Sequence, residues 1–462
     1  MRALRARLQA GTVFSLMAAG VLAVTTVSAP ATATTLEEAL SEAYTTNPQL
    51  LAERARQRAT DELVSQAVSG WRPSVTVQGT YGKTDTDTTI PPAATTTTEL
   101  EPWTASVTAT QPIFQGGRVL AQTRQARAQV RAGRAQLAAV EQQVLLGAVT
   151  AYMDVVRDEA VVELSEGQVA VLKRQLQAVR DRFEVGEIAR TDVAQAEARL
   201  SRSQSALTAA QAQLTLSRSA YERIMGQTPE GLERAPAAPS VPDSEDSAIE
   251  AGRSANPLLA AAREQESAAE HGIDLAVGGL LPTLSVQAEF QRTEGTATSD
   301  SETERTSVQG VLTVPLYQGG EEYSRVRQAR ATRSQQQLLV SQTAREVDES
   351  VKNAWDGLRS ARASIESDRE QVRANEIALE GVRQESDVGL RTTLDVLDAE
   401  QELLDSRVAL VRSQRNEIVA AFSLLAATGG LNAQGLKLPV DIYDPSVNFD
   451  DVSGQWIGFG SD

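Results

Sequence analysis

Along most of the chain apolar residues recur with helical spacing, but four short segments switch to strict alternation. Val75, Val77, Gly79 and Tyr81 alternate with Ser74, Thr76, Gln78 and Thr80. Trp103, Ala105, Val107 and Ala109 alternate with Thr104, Ser106, Thr108 and Thr110. Leu284, Val286, Ala288 and Phe290 alternate with Thr283, Ser285, Gln287 and Glu289. Val308, Gly310, Leu312 and Val314 alternate with Ser307, Gln309 and Thr313, with Val311 as an exception. A period of two sends neighbouring side chains to opposite faces, so each segment predicts a strand with one apolar and one polar face. Between Gly117 and Phe183, and again between Gly320 and Ser386, the period is helical and no proline intervenes. At 1.5 Å per residue such helices are on the order of 100 Å long.

These elements occur twice. Pro112-Ile113-Phe114-Gln115-Gly116-Gly117 returns as Pro315-Leu316-Tyr317-Gln318-Gly319-Gly320, and Arg124-Gln125-Ala126-Arg127-Ala128 returns as Arg327-Gln328-Ala329-Arg330-Ala331. Val185-Gly186 answers Val388-Gly389, Asp192-Val193 answers Asp395-Val396, and Asn47-Pro48 answers Asn256-Pro257. Each half reads helix, strand, loop, strand, long helix, turn, return helix. The first helices span about Thr35 to Ser69 and Ser247 to Val277, bent at their Asn-Pro pairs because proline lacks a backbone donor. Ala126, Val130, Gly133, Leu137, Val140, Val144, Gly147 and Ala151 step 4-3-4-3, a coiled-coil seam with small residues in alternate layers. Val340, Thr343, Val347, Ser350 and Ala354 continue it in the second copy. Gly186 and Gly389 stop the long helices. Thr191 or Asp192, and Thr393 or a neighbour, cap the return helices, which run to about Met225 and Ala427.

The resulting division is a leader over residues 1–33, a first repeat over 34–228, a proline-rich linker over 229–246, a second repeat over 247–430 and an irregular strap over 431–462. Segments Gly82–Pro102 and Arg292–Arg305 are rich in threonine, serine and acids without either period, and read as exposed loops. Arg2, Arg5 and Arg7, an apolar run near Val13–Val24 and Ala31-Thr32-Ala33 make the pattern of a cleaved secretory signal, with a short membrane anchor as the alternative.

Composition narrows the chemistry. Net charge is −17, and loss of a leader that holds three arginines and no acid leaves −20. Such a chain repels nucleic acid, so no nucleic-acid partner is expected. The absence of cysteine excludes disulfides and thiolate metal sites, and His271 is the single histidine. No metal, cofactor or catalytic constellation is called for, and the expected class is a non-enzyme. Gly116-Gly117 and Gly319-Gly320 lack the further glycines and lysine of a phosphate loop, and read as bends from strand to helix.

No charge lies between Ser74 and Tyr81, between Trp103 and Gly117 or between Thr306 and Gly320. Trp71, Tyr81, Trp103, Phe114, Phe290 and Tyr317 cluster near the strand ends, as an interfacial aromatic belt does. Both fit strands set in lipid; two soluble hairpins with a wetted face fit the alternation equally. Membrane strands must close, because an open sheet edge is forbidden in hydrocarbon. Four strands cannot close, so copies must pool them: two give eight strands, which fill their own interior, and three give twelve, which leave a lumen and better suit inward faces of Ser, Thr and Gln. The expected fold is therefore mostly α with a membrane β-barrel: a trimeric, twelve-stranded barrel, four strands per protomer, continued by a long coiled-coil helical tunnel.

The paired repeats, the Pro-(Ile/Leu)-(Phe/Tyr)-Gln-Gly-Gly starts and the Val-Gly turns leading into Asp-Val resemble the TolC-like outer membrane efflux proteins. The resemblance covers roughly Leu36 to Leu431, with Gly389 to Ala399 especially close. It implies a homotrimer in outer membrane lipid with a periplasmic tunnel, docked on a periplasmic adaptor and coupled to an inner-membrane transporter. Drugs, small toxic molecules or polypeptides would be the cargo. Asp395 and Asp398, three apart on one helix face, would form carboxylate rings at a closed entrance, although acids in a first helical turn need no function. The resemblance also implies a latch from Arg391 to Thr191 and Asp192; Ser386 stands where the family's latch carries a tyrosine. Val185, Gly186, Val388 and Gly389 would touch the adaptor. A periplasmic coiled-coil adaptor or a structural coiled coil are the alternatives; neither needs two hairpins joined to charge-free strands.

Overall fold

The structure is a computed structural model that describes residues 34–92, 95–234 and 236–459; the leader falls outside them. The first repeat runs α1 (Leu36–Thr46), α2 (Pro48–Val68), β1 (Ser74–Tyr81), β2 (Thr84–Thr88), β3 (Thr96–Leu100), β4 (Trp103–Gln115), α3 (Arg118–Glu184) and α4 (Arg190–Met225). The second runs α5 (Glu245–Ala255), α6 (Pro257–Gly278), β5 (Thr283–Glu294), β6 (Glu302–Thr313), α7 (Glu321–Asp387) and α8 (Thr393–Ala427), and α9 (Pro445–Ser453) follows.

The Asn-Pro pairs break their helices instead of bending them. Proline disfavours helical backbone at the residue before it, and Asn47 accordingly sits at φ −63°, ψ 121°. Its side-chain oxygen accepts from the Gln49 N–H at 2.9 Å, so Asn47 ends α1 and caps α2, with Pro48 in the first turn. Asn256 repeats the arrangement between α5 and α6.

Both long helices contain 67 residues. In α3 the seam holds: Ala126, Val130, Leu137, Val144 and Ala151 are buried. In α7 it slips by one residue. Val347, Val351 and Leu358 are buried while Ser350 is exposed, so the apolar residue and not the expected serine takes the inward position. The largest core lies where α1, α3 and the far ends of α4 and α8 meet, around Leu145, Val149, Tyr152, Tyr221, Met225 and Phe422. Two small apolar clusters hold the hairpin tips, Leu176–Val179–Ala196 for α3/α4 and Leu379–Val396–Leu403 for α7/α8.

The sheet has the antiparallel order β1-β4-β5-β6. Within the protomer one edge of β1 and one edge of β6 stay unpaired. Register joins the alternating faces: Val75, Ala109, Ala288 and Val308 share one row, and Val77, Val107 and Phe290 the next. That face is bare, with Val77 74% and Val308 72% exposed.

Three expected irregular segments are ordered. Gly82–Pro102 contains the β2–β3 hairpin, which pairs Thr86 with Thr98. β2 alternates threonine with aspartate and β3 opens on three threonines, so with both faces in water the pair carries no alternating apolar signal. The Arg292–Arg305 segment is mostly strand, since β5 continues to Glu294 and β6 begins at Glu302. The tail carries α9, capped by Asp444 on the Ser446 N–H at 2.8 Å and tied to α2 by Asn448 on Asp61 and Ser65 on the Val452 carbonyl.

Candidate channel wall and gate

At the base of the sheet the chain must turn from strand to long helix within two residues. Gly116 has φ +61°, and a Cβ there would stand 2.4 Å from the Gly278 carbonyl oxygen. Glycine is therefore required twice over, by conformation and by space.

The apolar band of the sheet is bounded by aromatic and charged residues. At one end Tyr81 stands opposite Trp103; the Tyr81 hydroxyl donates to Glu101 at 3.0 Å and Trp103 Nε1 donates to Glu294 at 2.8 Å. On the β5–β6 side the band stops at Phe290, opposite Val107 and four residues inside β5. The next residue on its face is Arg292, paired with Glu294, Glu302 and Glu304 at 2.8, 2.6 and 3.4 Å. Composition placed these charges in a loop; register puts them on the same face as the apolar band, as a collar beyond its end. Trp71, Phe114 and Tyr317 stand exposed at the opposite end. The other face of the sheet carries Thr76, Gln78, Thr108, Gln287, Glu289 and Gln309.

Far from the sheet, α3 and α7 end at matching turns. The Gly186 N–H donates to the Phe183 carbonyl and the Gly389 N–H to the Ser386 carbonyl, each at 3.0 Å. Val185 and Val388 are each 71% exposed at the two tips. The cap of α4 differs from expectation. Ala189 is the extended residue before α4, and Asp192 reaches back to its N–H at 3.2 Å. Thr392, the neighbour of Thr393, caps α8: its hydroxyl accepts from the Asp395 N–H, while the Asp395 carboxylate accepts from the Thr392 N–H at 2.9 Å and its hydroxyl at 2.8 Å. A carboxylate placed in a first turn satisfies donors that lack helical partners. Those backbone and hydroxyl bonds from Thr392 hold the Asp395 carboxyl below its usual range.

Asp398 lies on the same face of α8, three residues on, and Arg199 of α4 donates to it. Arg391 Nε donates to Glu385 of its own hairpin at 2.8 Å. Within the protomer, then, Arg391 and Asp192 each have a local partner, and Thr191, next to Asp192 in sequence, is exposed. Sequence reasoning missed Arg199 altogether: an arginine on a solvated helix gives no signal that it faces a carboxylate 199 positions away.

Among the described residues no helix is long and apolar enough to cross a membrane. A sheet with one bare apolar face and two open edges, standing on paired hairpins of 67-residue helices, is the architecture of a channel-tunnel protomer. The chain belongs to the outer membrane efflux protein family, which matches residues 39–227 and 248–430. It is 35% identical over 446 residues to the outer membrane efflux protein BepC of Brucella suis, covering 96% of each chain. It is 28% identical over 422 residues to the outer membrane protein TolC of Vibrio cholerae, covering 89% of this chain and 94% of that one. Among solved structures, the Campylobacter jejuni CmeC outer membrane channel superposes with a TM-score of 0.78 at 16% identity, over 91% of this chain and 89% of the other, which shows the shared fold.

Proposed function

We propose that the chain is one protomer of an outer-membrane exit duct. Three copies join β1 of one to β6 of the next and close a twelve-stranded barrel, and their helical hairpins continue it as a periplasmic tunnel. The duct conducts passively and catalyses nothing. It receives drugs, small toxic molecules or polypeptides from an inner-membrane transporter, as part of a tripartite efflux pump or a type I secretion system.

The observation that carries this reading is the sheet. Both of its edges are unpaired and one face is a bare apolar surface. Hydrocarbon tolerates that face but not open edges, so the sheet is complete only when copies join. The polar opposite face then lines a wet lumen. The aromatic residues at both ends of the band match the two interfaces of a bilayer.

The tips supply the gate. Asp395 and Asp398 recur three times around the axis as carboxylate rings that favour cations at the constriction. Arg391 exchanges Glu385 for Thr191 and Asp192 of a neighbouring hairpin when the entrance is shut. Val185, Gly186, Val388 and Gly389 meet the periplasmic adaptor. The test is twofold: detergent-extracted protein reconstituted in a planar bilayer, and deletion of the gene. A low-conductance, cation-favouring channel is expected, with increased drug sensitivity or loss of a secreted polypeptide in the deletion strain. Protein that inserts but never conducts contradicts the reading.

A further inference from the structure

Hairpin α3/α4 and hairpin α7/α8 lie side by side, yet they are joined unevenly. Among the described residues two charged links cross between them. One is Arg415 of α8 on Asp154 of α3, at 2.8 Å. It stands beside the main core, where Ile418 and Phe422 of α8 join Leu145, Val149 and Tyr152 of α3. Asp154 also accepts from Arg157 at 2.7 Å, and Arg157 in turn holds Asp158. That end of the seam is both apolar and charge-locked.

The other link is Arg199 of α4 on Asp398 of α8, near the tips. Between the two links the seam is loosely filled. A cavity of about 650 Å³ opens between α3, α4 and α8, lined in part by Ala206, Ala209 and Ala210 on one side and Gln401 and Asp405 on the other. A second, of about 540 Å³, lies between α3, α7 and α8. Leu404 and Val408 of α8 also line the first cavity, but the unfilled space deprives them of partner atoms and so of the dispersion that would hold the helices together there.

We infer that Arg199 is the gate's in-protomer latch: bonded to Asp398 it holds hairpin α7/α8 against hairpin α3/α4 while the main core acts as the hinge. This rests on the duct reading above and adds to it a positioning residue and a change of charge. In the latched state a guanidinium offsets the charge of each Asp398 carboxylate, so of the two rings the Asp395 ring carries more of the cation preference. When α8 swings away, three Asp398 carboxylates are released, and the open entrance gains negative charge as it widens. Opening and cation preference are thereby coupled in one residue pair. The geometry agrees with the reach: Arg199 lies deeper in α4 than Asp398 does in α8, and helical side chains lean towards the N-terminus, here towards the tip.

The test is planar-bilayer recording of the full chain, with heat-resistant oligomer on a gel as the check on assembly. Arg199→Gln is expected to assemble as the parent does and to raise the ratio of open to closed dwell time by roughly fivefold, the scale of one partly exposed charge-assisted bond. Arg199→Asp should open the channel further, and adding Asp398→Arg should restore closure, because the exchanged pair remakes the bond. An assembled Arg199→Gln channel with parental dwell times overturns the latch and leaves the duct reading intact. So does a charge exchange that fails to restore closure. Parent protein that forms no channel at all removes the duct reading, and the latch with it.

Discussion

The side-chain amide of Asn256 donates to the carbonyl oxygen of Ala427 at 3.0 Å, joining the break between α5 and α6 to the end of α8. Asn47 does the same in the first repeat, donating to the Ile224 carbonyl at 2.9 Å. Each asparagine thus ends one helix, caps the next and satisfies a carbonyl that the return helix leaves without a partner. Both are more than nine-tenths buried. Asn256→Ala removes the cap and strands that carbonyl, for a combined cost of about 2–4 kcal/mol. Thermal unfolding of the extracted protein should show the loss, and Asn256→Asp, which keeps the cap acceptor but loses the donor, should fall between.

Gly116 and Gly319 hold equivalent places but unequal surroundings. Both have positive φ, yet a Cβ at Gly319 meets nothing within 4 Å whereas one at Gly116 collides with the Gly278 backbone. Gly319→Ala should cost only the conformational strain, about 1–2 kcal/mol. Gly116→Ala should abolish assembly of the heat-resistant oligomer, because backbone has to move to admit the methyl group. Equal behaviour of the two variants on a gel would contradict the bend geometry.

Faces of β1 separate cleanly at adjacent residues. Val77 points with the bare apolar row and Thr76 with the polar one. Val77→Arg should lose about 2–4 kcal/mol of membrane stability, the cost of a cation near the bilayer midplane, while Thr76→Arg should fold normally and change conductance. Membrane extraction yields and single-channel current measure the two effects, and reversal of the pattern would invert the assignment of faces.

Acid should loosen the helical part of the protein. Burial raises the Asp158 carboxyl, but bonds from Arg157 and Ser217 outweigh it and the net effect is a lowered value. Asp348 is lowered chiefly by its paired bonds from Arg253, at 2.8 and 2.6 Å. A carboxyl depressed in the folded state adds stability above its unfolded value, near 3.9, and that stability is lost as pH falls through the lower folded value. The unfolding midpoint should therefore hold from pH 7 to about 5 and drop below about 4. Asp158→Asn, expected to cost about 1–3 kcal/mol at neutral pH, should show a smaller acid drop.

Much of this architecture is written in two periods and one duplication. The helical run after each Gly-Gly gave both long helices to within a residue or two, because a continuous seam and a glycine stop leave little freedom. Strands β1 and β4 declared themselves by alternation, whereas β2 and β3 did not, since Thr84 to Thr88 has no buried face to mark. The Arg292 collar was hidden for a related reason: its charges break the apolar pattern that identified β5. The candidate gate was half legible. Asp395 and Asp398 share a face by spacing alone, but their partners, Thr392 and Arg199, follow from the cap geometry and from how α4 meets α8. Ala189 at the start of α4 gave no signal, because alanine has no side-chain acceptor and Asp192 does the capping from inside the helix.

The claim on which the rest depends is that this sheet is one third of a closed barrel. The number of chains per particle in detergent-extracted protein, counted by native mass spectrometry, tests it most directly. Three chains per particle, stable only with detergent or lipid, is the expected result; a folded single chain that stays in plain buffer would contradict it.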